Sequence, residues 1–513
     1  MRDLGFIGRS ALGATVAALI AVAGAVGPSN ASTFRTTSDY LAQKVRWSSC
    51  GSPGTNLFCG SVTVPLDWSK PAGATINLAV DFRQATATKP LGSVIFNPGG
   101  PGASGYDYLQ SSSDTLGTAA LRANYNFVGF DPRGVQHSTP AVHCFVPGIG
   151  EKSSAMDKFL YGNSGYAWGS AKDVAASRAE LKKFATACKS NTGVALKYLD
   201  TVSTARDLDV LRAVMGDEKL NYLGYSYGTF IGETYASLFP SKVGRMVLDG
   251  IVDPTVKPGV DSLNQLKGFD LALNDYLADC LKSNSCPFTG SVSAALRKIQ
   301  VFLRGLETKS IPTTDGTRKL TVGMATAGID MALYSKSYWA YLTAGFKQAF
   351  NGDGTTLMRL ADFYNDRATD GSYNSNQMEA FIATSCLDSR ESSSPAAMKS
   401  QNARILKASP VMGRYWQFGG LACAYWPYPA VKQLRSYSAK GSPTIIVVGT
   451  TGDPATPYQQ AVHVAKSVLA NGALITYNGE GHTAYGQGHA CVDSAVDSFF
   501  VSGTVPAKDP NCR

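Results

Sequence analysis

The chain has 513 residues, of which 44% are hydrophobic and 17% charged, with 52 glycines and 24 prolines. That length carries two or three packed units and excludes a mini-protein, and apolar runs recurring to the C-terminus exclude an intrinsically disordered chain. The formal charge of +9 comes without any Lys/Arg run of the kind that tracks phosphates, so no nucleic-acid partner is expected.

Arg2 and Arg9 flank the start of the chain, residues 11–26 are apolar, and a small-residue site follows at Ser29-Asn30-Ala31. That is the n-region, h-region and cleavage site of a signal peptide, so residues 1–31 are expected to be removed, with cleavage near Ala31, and the mature protein to be secreted. The apolar run is shorter than the ~20 residues of a spanning helix, and no stable membrane anchor is expected. The two arginines are not adjacent and no cysteine lies near the site, which argues against twin-arginine export and lipidation.

Export puts all ten cysteines in an oxidising compartment, where an even number favours disulfides. Cys50 with Cys59 and Cys280 with Cys286 are close enough to be local staples. Spacing alone does not pair the other six; the simplest assignment is Cys144 with Cys188, Cys386 with Cys423 and Cys491 with Cys512. No spacing is a CxxC, and no metal or other cofactor is expected.

Residues 61–65 and 75–82 alternate apolar and polar positions, as half-buried strands do. The later runs at 93–96, 127–130, 222–223, 245–248, 444–448 and 473–477 are apolar throughout, the pattern of parallel strands covered on both faces. Between them lie helix-compatible stretches. At 201–215, Ala205, Leu208, Leu211 and Met215 share one face and Ser203 or Thr204 is the candidate N-cap. The fold class is α/β with a mostly parallel central sheet.

From 254 to 442 the rhythm changes to long helical stretches (260–281, 292–306, 324–350, 354–364), too long for a connection and therefore a unit of its own. The predicted organisation is a signal peptide at 1–31, a first catalytic part at 32–253, a largely helical cap at 254–442 and a second catalytic part at 443–513.

Gly224-Tyr-Ser-Tyr-Gly228 stands between a strand and a helix-compatible stretch (229–239), the context of a nucleophile elbow whose tight turn needs small residues around the serine. A serine hydroxyl needs a base, and the base an orienting carboxylate. Of five histidines, His482 lies in a glycine loop directly after the last strand and is the candidate base. His489 is its nearest competitor; His463 falls on a predicted helix, and His137 and His143 precede the elbow. Asp453, after the penultimate strand, is the candidate acid and Glu480 the alternative. The order Ser226, Asp453, His482, each after its own strand, is that of the α/β-hydrolase triad. Two backbone donors must receive an oxyanion: the Tyr227 amide after the nucleophile, and one from Asn97-Pro-Gly-Gly-Pro-Gly102, where Gly100 is favoured and Gly99 second.

Taken together, Asn97-Pro-Gly-Gly-Pro-Gly102, Asp131-Pro-Arg-Gly134, Tyr222-Leu-Gly-Tyr-Ser-Tyr-Gly-Thr229, Val247-Leu-Asp-Gly250 with Asp253-Pro254, and Gly452-Asp-Pro-Ala-Thr-Pro457 with Gly481-His482 make a more specific set than any one motif. From about Cys50 to Val492 the chain resembles the secreted tripeptidyl aminopeptidases, in the proline-iminopeptidase-like branch of the α/β-hydrolase superfamily. The resemblance implies an α/β-hydrolase fold with a cap, the Ser226, Asp453, His482 triad, and release of short peptides, tripeptides above all, from free N-termini. The sequence departs from the pattern after Gly134, continuing Val-Gln-His-Ser. Asp131 and Arg133 are expected to form a structural ion pair. An aminopeptidase must also hold a protonated amine, and Glu379 and Asp388 in the cap are the candidate substrate-binding acids. A carboxylesterase with the same triad and a proline-preferring aminopeptidase are the alternatives. A non-enzymatic binding module predicts a missing catalytic member, whereas all three are present. The expected partners are peptides with a free N-terminus, and a monomer is expected.

Overall fold

The computed structural model describes residues 34–51, 54–506 and 509–513, so the signal-peptide reading lies outside the described residues. The chain enters through α1 (Thr37–Leu41), β1 (Ser48–Cys50), β2 (Leu57–Pro65) and β3 (Thr75–Arg83), followed by β4 (Ser93–Asn97), α2 (Gly105–Ser112), α3 (Ala119–Asn124) and β5 (Asn126–Phe130). After an excursion through β6 (Glu151–Lys152), α4 (Ser154–Tyr161) and α5 (Ala171–Thr192) it returns as α6 (Thr201–Val214), β7 (Leu220–Tyr225), α7 (Tyr227–Leu238) and β8 (Val243–Asp249). A long insertion carries α8 (Pro258–Cys280), α9 (Val292–Leu306), β9 (Ile311–Pro312), β10 (Lys319–Leu320), α10 (Val322–Leu333), α11 (Trp339–Phe350), α12 (Thr355–Tyr364), β11 (Ser372–Tyr373), α13 (Gln377–Asp388) and α14 (Pro395–Ala408). The sheet is then completed by β12 (Ile445–Gly452), α15 (Tyr458–His463), β13 (Gly472–Glu480), α16 (Ala490–Ser502) and β14 (Asn511–Cys512).

Among the described residues ten strands form one sheet in the order β1-β2-β3-β5-β4-β7-β8-β12-β13-β14. The first three pairings are antiparallel and all those from β5 onward are parallel. The sequence pattern explains the difference. β3 is exposed or half-buried at alternate positions along its first half, whereas β4 is buried at every one. Successive β4 residues serve opposite layers: Ile95 packs with Leu208, Leu211 and Ile231 of α6 and α7, and Val94 and Phe96 with Leu109, Leu121 and Phe500 of α2, α3 and α16. Each such side chain contributes about 1.5–3 kcal/mol through burial.

Local chemistry corrects some expectations. The N-cap of α6 is Asp200, not Ser203 or Thr204: its carboxylate accepts the Ser203 amide at 2.9 Å and the Ser203 hydroxyl at 2.8 Å. Ser203 falls at the third helical position, whose amide is one of those a cap must satisfy. The helix expected over 324–350 is broken after α10, where the Ser335 side chain accepts the Ser337 amide and starts a short 3₁₀ turn.

The long insertion does not build its core alone. β6 pairs with β11, Tyr161 of α4 enters the insertion's core beside Leu266, Ile329 and Phe346, and Phe184 of α5 packs with Ala383 and Leu387 of α13. Residues 144–199 therefore pack with the insertion. Disulfides join Cys50–Cys59, Cys144–Cys188, Cys280–Cys286, Cys386–Cys423 and Cys491–Cys512, and no cysteine is free. Among the described residues no helix is long and apolar enough to cross a membrane.

Arg133 and Asp131 do not pair with each other. Arg133 is buried and bonds Asp207 of α6 twice, Nε to Oδ2 at 2.7 Å and Nη2 to Oδ1 at 2.6 Å. Its other N–H groups reach the Pro65, Leu66 and Tyr198 carbonyls, so all five guanidinium donors are satisfied without Asp131. Asp131 instead accepts from the Ser104 hydroxyl at 2.5 Å and the His137 amide at 3.0 Å. Arg133→Ala would leave the Asp207 charge buried with the Trp68 indole as its remaining donor. It is expected to cost about 3–5 kcal/mol in denaturant-induced unfolding, and a loss below about 1 kcal/mol would contradict this account of the pair.

Candidate active site

The elbow is built by two close approaches around a strained residue. Ser226 sits between β7 and α7 at φ 54°, ψ −127°, a backbone conformation strained for a residue with a Cβ. The turn leaves no room nearby: a Cβ on Gly224 would lie 2.6 Å from the Gly228 carbonyl oxygen, and one on Gly228 would lie 2.5 Å from the Asn97 carbonyl oxygen. The Ser226 amide donates to the Asp249 carbonyl at 2.9 Å, and Ser226's own carbonyl accepts from both the amide (2.8 Å) and the hydroxyl (2.6 Å) of Thr229. These bonds hold the strained residue from both sides.

His482 follows β13 and shares with Ser226 a cavity of about 200 Å³. Its Nδ1 lies 2.9 Å from each carboxylate oxygen of buried Asp453, at the end of β12. Asp453 is fixed in turn by the Ala455 and Thr456 amides, at 2.9 and 2.8 Å, and by the Thr456 hydroxyl at 2.9 Å. The acceptor on Nδ1 favours the tautomer with its proton there, which leaves the Nε2 lone pair for a hydroxyl. Nε2 is buried and bonds nothing among the described residues, the looser arrangement common before a substrate tightens such contacts.

Two further groups steady the imidazole. The His482 amide donates to the Tyr334 carbonyl at 2.8 Å, and the Tyr334 ring meets the imidazole edge-on at 5.5 Å between centroids. Asp249, at the end of β8, accepts the Ala484 and Tyr485 amides at 2.9 and 2.8 Å and so clamps the loop behind the histidine. Burial pushes the Asp249 carboxyl up to about 7. Sequence reasoning had Asp249 and Thr456 inside its motifs without a role for either, and nothing local in the sequence links Tyr334 to a loop almost 150 residues away.

The loop after β4 abuts the elbow through Gly99. At φ 101° a Cβ there would meet the Ser226 Cβ at 2.8 Å and the Tyr227 amide nitrogen at 3.2 Å. The Gly99 amide is occupied, donating to Asn97 Oδ1 at 3.0 Å, whereas that of Gly100 donates to nothing among the described residues. Tyr227 is the first residue of α7, so its amide has no acceptor within the helix. The two expected oxyanion donors thus belong to adjoining backbone segments beside Ser226.

Burial pulls the His482 imidazole down, but the Asp453 carboxylate, helped by Asp249, more than offsets it, and the group lies above the usual histidine value of 6.5. The base must be neutral to accept a proton, so kcat/KM is expected to rise with pH through an acid limb whose midpoint lies above 6.5. An acid limb centred below that value would contradict the assignment. The same shift adds stability that is full below the unfolded-state value and is lost as pH rises through the folded-state one.

The other candidates lie elsewhere. His489 stacks on Tyr477 at 3.9 Å, His463 bonds Asp253 at 2.5 Å, and His137 bonds Asp107 at 2.8 Å. The His143 amide bonds the Thr192 hydroxyl at 2.9 Å, back in the 144–199 region. Glu480 is wedged against Gly452 and makes no hydrogen bond to His482 among the described residues. Glu379 is buried with Oε1 accepting the Phe145 and Val146 amides at 2.6 and 2.9 Å, and Asp388 accepts the Thr201 amide and hydroxyl at 2.8 and 2.6 Å. The structure thus brings both acids together with the 144–201 segment rather than with the Ser226 cavity. Asp388 touches the elbow only from behind, through the Thr201 hydroxyl and its short bond to the Tyr227 hydroxyl. Among the described residues no cluster of His, Cys, Asp and Glu is placed to hold a metal ion.

Comparison with known proteins bears on this site. A family model described as "TAP-like protein" matches residues 409–512, the stretch that holds Asp453 and His482. "Serine protease Hip1" of Mycobacterium tuberculosis is 37% identical over 490 residues, 92% of this chain and 91% of the relative. "Carboxylesterase B" of the same species is 37% identical over 484 residues, 92% of this chain and 90% of the relative. "Tripeptidyl aminopeptidase" of Streptomyces lividans is 31% identical over 483 residues, 91% of this chain and 86% of the relative.

Proposed function

Because the chain belongs to the tripeptidyl-aminopeptidase-like family of α/β-hydrolases and is a serine hydrolase of the peptidase kind, we propose that it is a secreted exopeptidase releasing tripeptides from free N-termini. The observation that carries the reading is the Asp453 carboxylate on His482 Nδ1, with Ser226 in a strained elbow on the same cavity. Five disulfides, which persist in oxidising compartments, support export.

In this mechanism Ser226 Oγ attacks the scissile carbonyl as His482 Nε2 takes its proton. Asp453 holds the imidazole and balances its charge, while the Gly100 and Tyr227 amides receive the oxyanion. The C–N bond breaks as His482 returns the proton to the leaving amine, leaving an ester on Ser226. Water, deprotonated by the same imidazole, then cleaves that ester and restores the hydroxyl.

Three substrates test the reading: a peptide with a free N-terminus, its N-acetylated form and a short acyl ester, with products weighed by mass spectrometry. Tripeptide release from the free peptide alone is expected; equal turnover of free and blocked peptides would overturn it. The relative named as a carboxylesterase supports a second reading, in which the ester is the preferred substrate.

A further inference from the structure

A cavity of about 390 Å³ opens among the helices of the insertion, with Tyr334, whose ring meets that of His482, in its wall. Its walls include Phe269, Tyr334, Tyr364, Tyr415 and Trp416, and one acid, Asp330 of α10, lines it. The Trp416 indole lines the same cavity as Asp330. Asp330 Oδ1 is closed off from solvent and has no donor among the described residues. An aromatic box around one under-bonded carboxylate is the environment that binds an organic ammonium, through the ring faces and a charge-assisted hydrogen bond.

We infer that this cavity takes the free α-ammonium group of the peptide substrate, with Asp330 as its counter-ion, an inference that rests on the aminopeptidase reading above. Position supports it. Asp330 and Tyr334 are four residues apart, one helical turn of about 5.4 Å. The Tyr334 ring centroid lies 5.5 Å from that of His482, and its hydroxyl feels the charges of both Asp330 and Asp453. An ammonium held there would tie the N-terminus of the peptide to the wall that carries Tyr334, whose ring meets the His482 imidazole. Burial pushes the Asp330 carboxyl up to about 8. Glu379, through Oε1, and Asp388 instead accept from the 144–201 segment, away from this cavity.

The test is the ratio of kcat/KM for a free tripeptide amide to that for its N-acetylated form, in the wild type and in Asp330→Asn. A charge-assisted contact corresponds to roughly a ten- to hundredfold preference. The substitution is expected to bring the ratio close to one, mainly through KM. A wild-type preference retained in Asp330→Asn would overturn this inference and leave the aminopeptidase reading standing. No preference in the wild type would overturn that reading itself. Should Asp330→Asn fail to fold, the Ser226→Ala protein decides: a free tripeptide amide, and not the acetylated one, should change its indole fluorescence, and Trp416→Phe should abolish that change. A change that survives Trp416→Phe would place the amine elsewhere.

Discussion

Ser226→Ala is expected to lower kcat by about a millionfold toward every substrate the enzyme cleaves, because no acyl-enzyme can form without Oγ. What survives is the residual acceleration that an oxyanion hole and substrate binding supply by themselves, about 10³–10⁴-fold over water. The protein should remain folded, since alanine keeps the Cβ that the strained elbow already accommodates and the backbone bonds to Asp249 and Thr229 do not involve the hydroxyl. Steady-state kinetics on purified protein, with a thermal-unfolding scan beside it, checks both halves. Activity within tenfold of the wild type would remove Ser226, and with it the triad, from the mechanism.

Asp453→Asn is the second large effect, with an expected loss of about 10⁴-fold in kcat. The amide oxygen can still accept the Ala455 and Thr456 amides that close the loop, so the fold should persist. An asparagine that presents its NH₂ to Nδ1 instead selects the wrong tautomer and aims a proton, not a lone pair, at the serine. It also removes the charge that holds the imidazole above its usual value, so the acid limb should move down together with the loss in rate. A rate loss with an unmoved limb would mean that Asp453 shapes the loop and does not orient the base. Glu480 cannot stand in, because it makes no hydrogen bond to the ring among the described residues.

The parts of this molecule that were readable in the sequence are those whose causes are local. Apolar runs such as 93–96 and 445–448 mark strands covered on both faces, and the glycines around Ser226 mark a turn with no space for side chains. The five disulfides follow the order of the cysteines because each closes a short loop within one body. What was not readable depends on partners far along the chain. Arg133 meets Asp207, 74 residues away, and nothing near Arg133 distinguishes that partner from Asp131. Helix α5 carries too little amphipathic pattern to reveal that it faces α13, so residues 144–199 read as part of the catalytic body. Glu379 and Asp388 looked available because a sequence does not show which backbone amides a folded loop will turn toward a carboxylate. Asp330 was invisible for the converse reason: only the folded box of aromatic rings shows that one of its oxygens has no donor.

The bond from the His482 amide to the Tyr334 carbonyl joins the general base to the end of α10. Through this bond the packing of the helices above the sheet reaches the imidazole directly, so a substitution that shifts the end of α10 is expected to change the base's alignment on Asp453 without touching either residue.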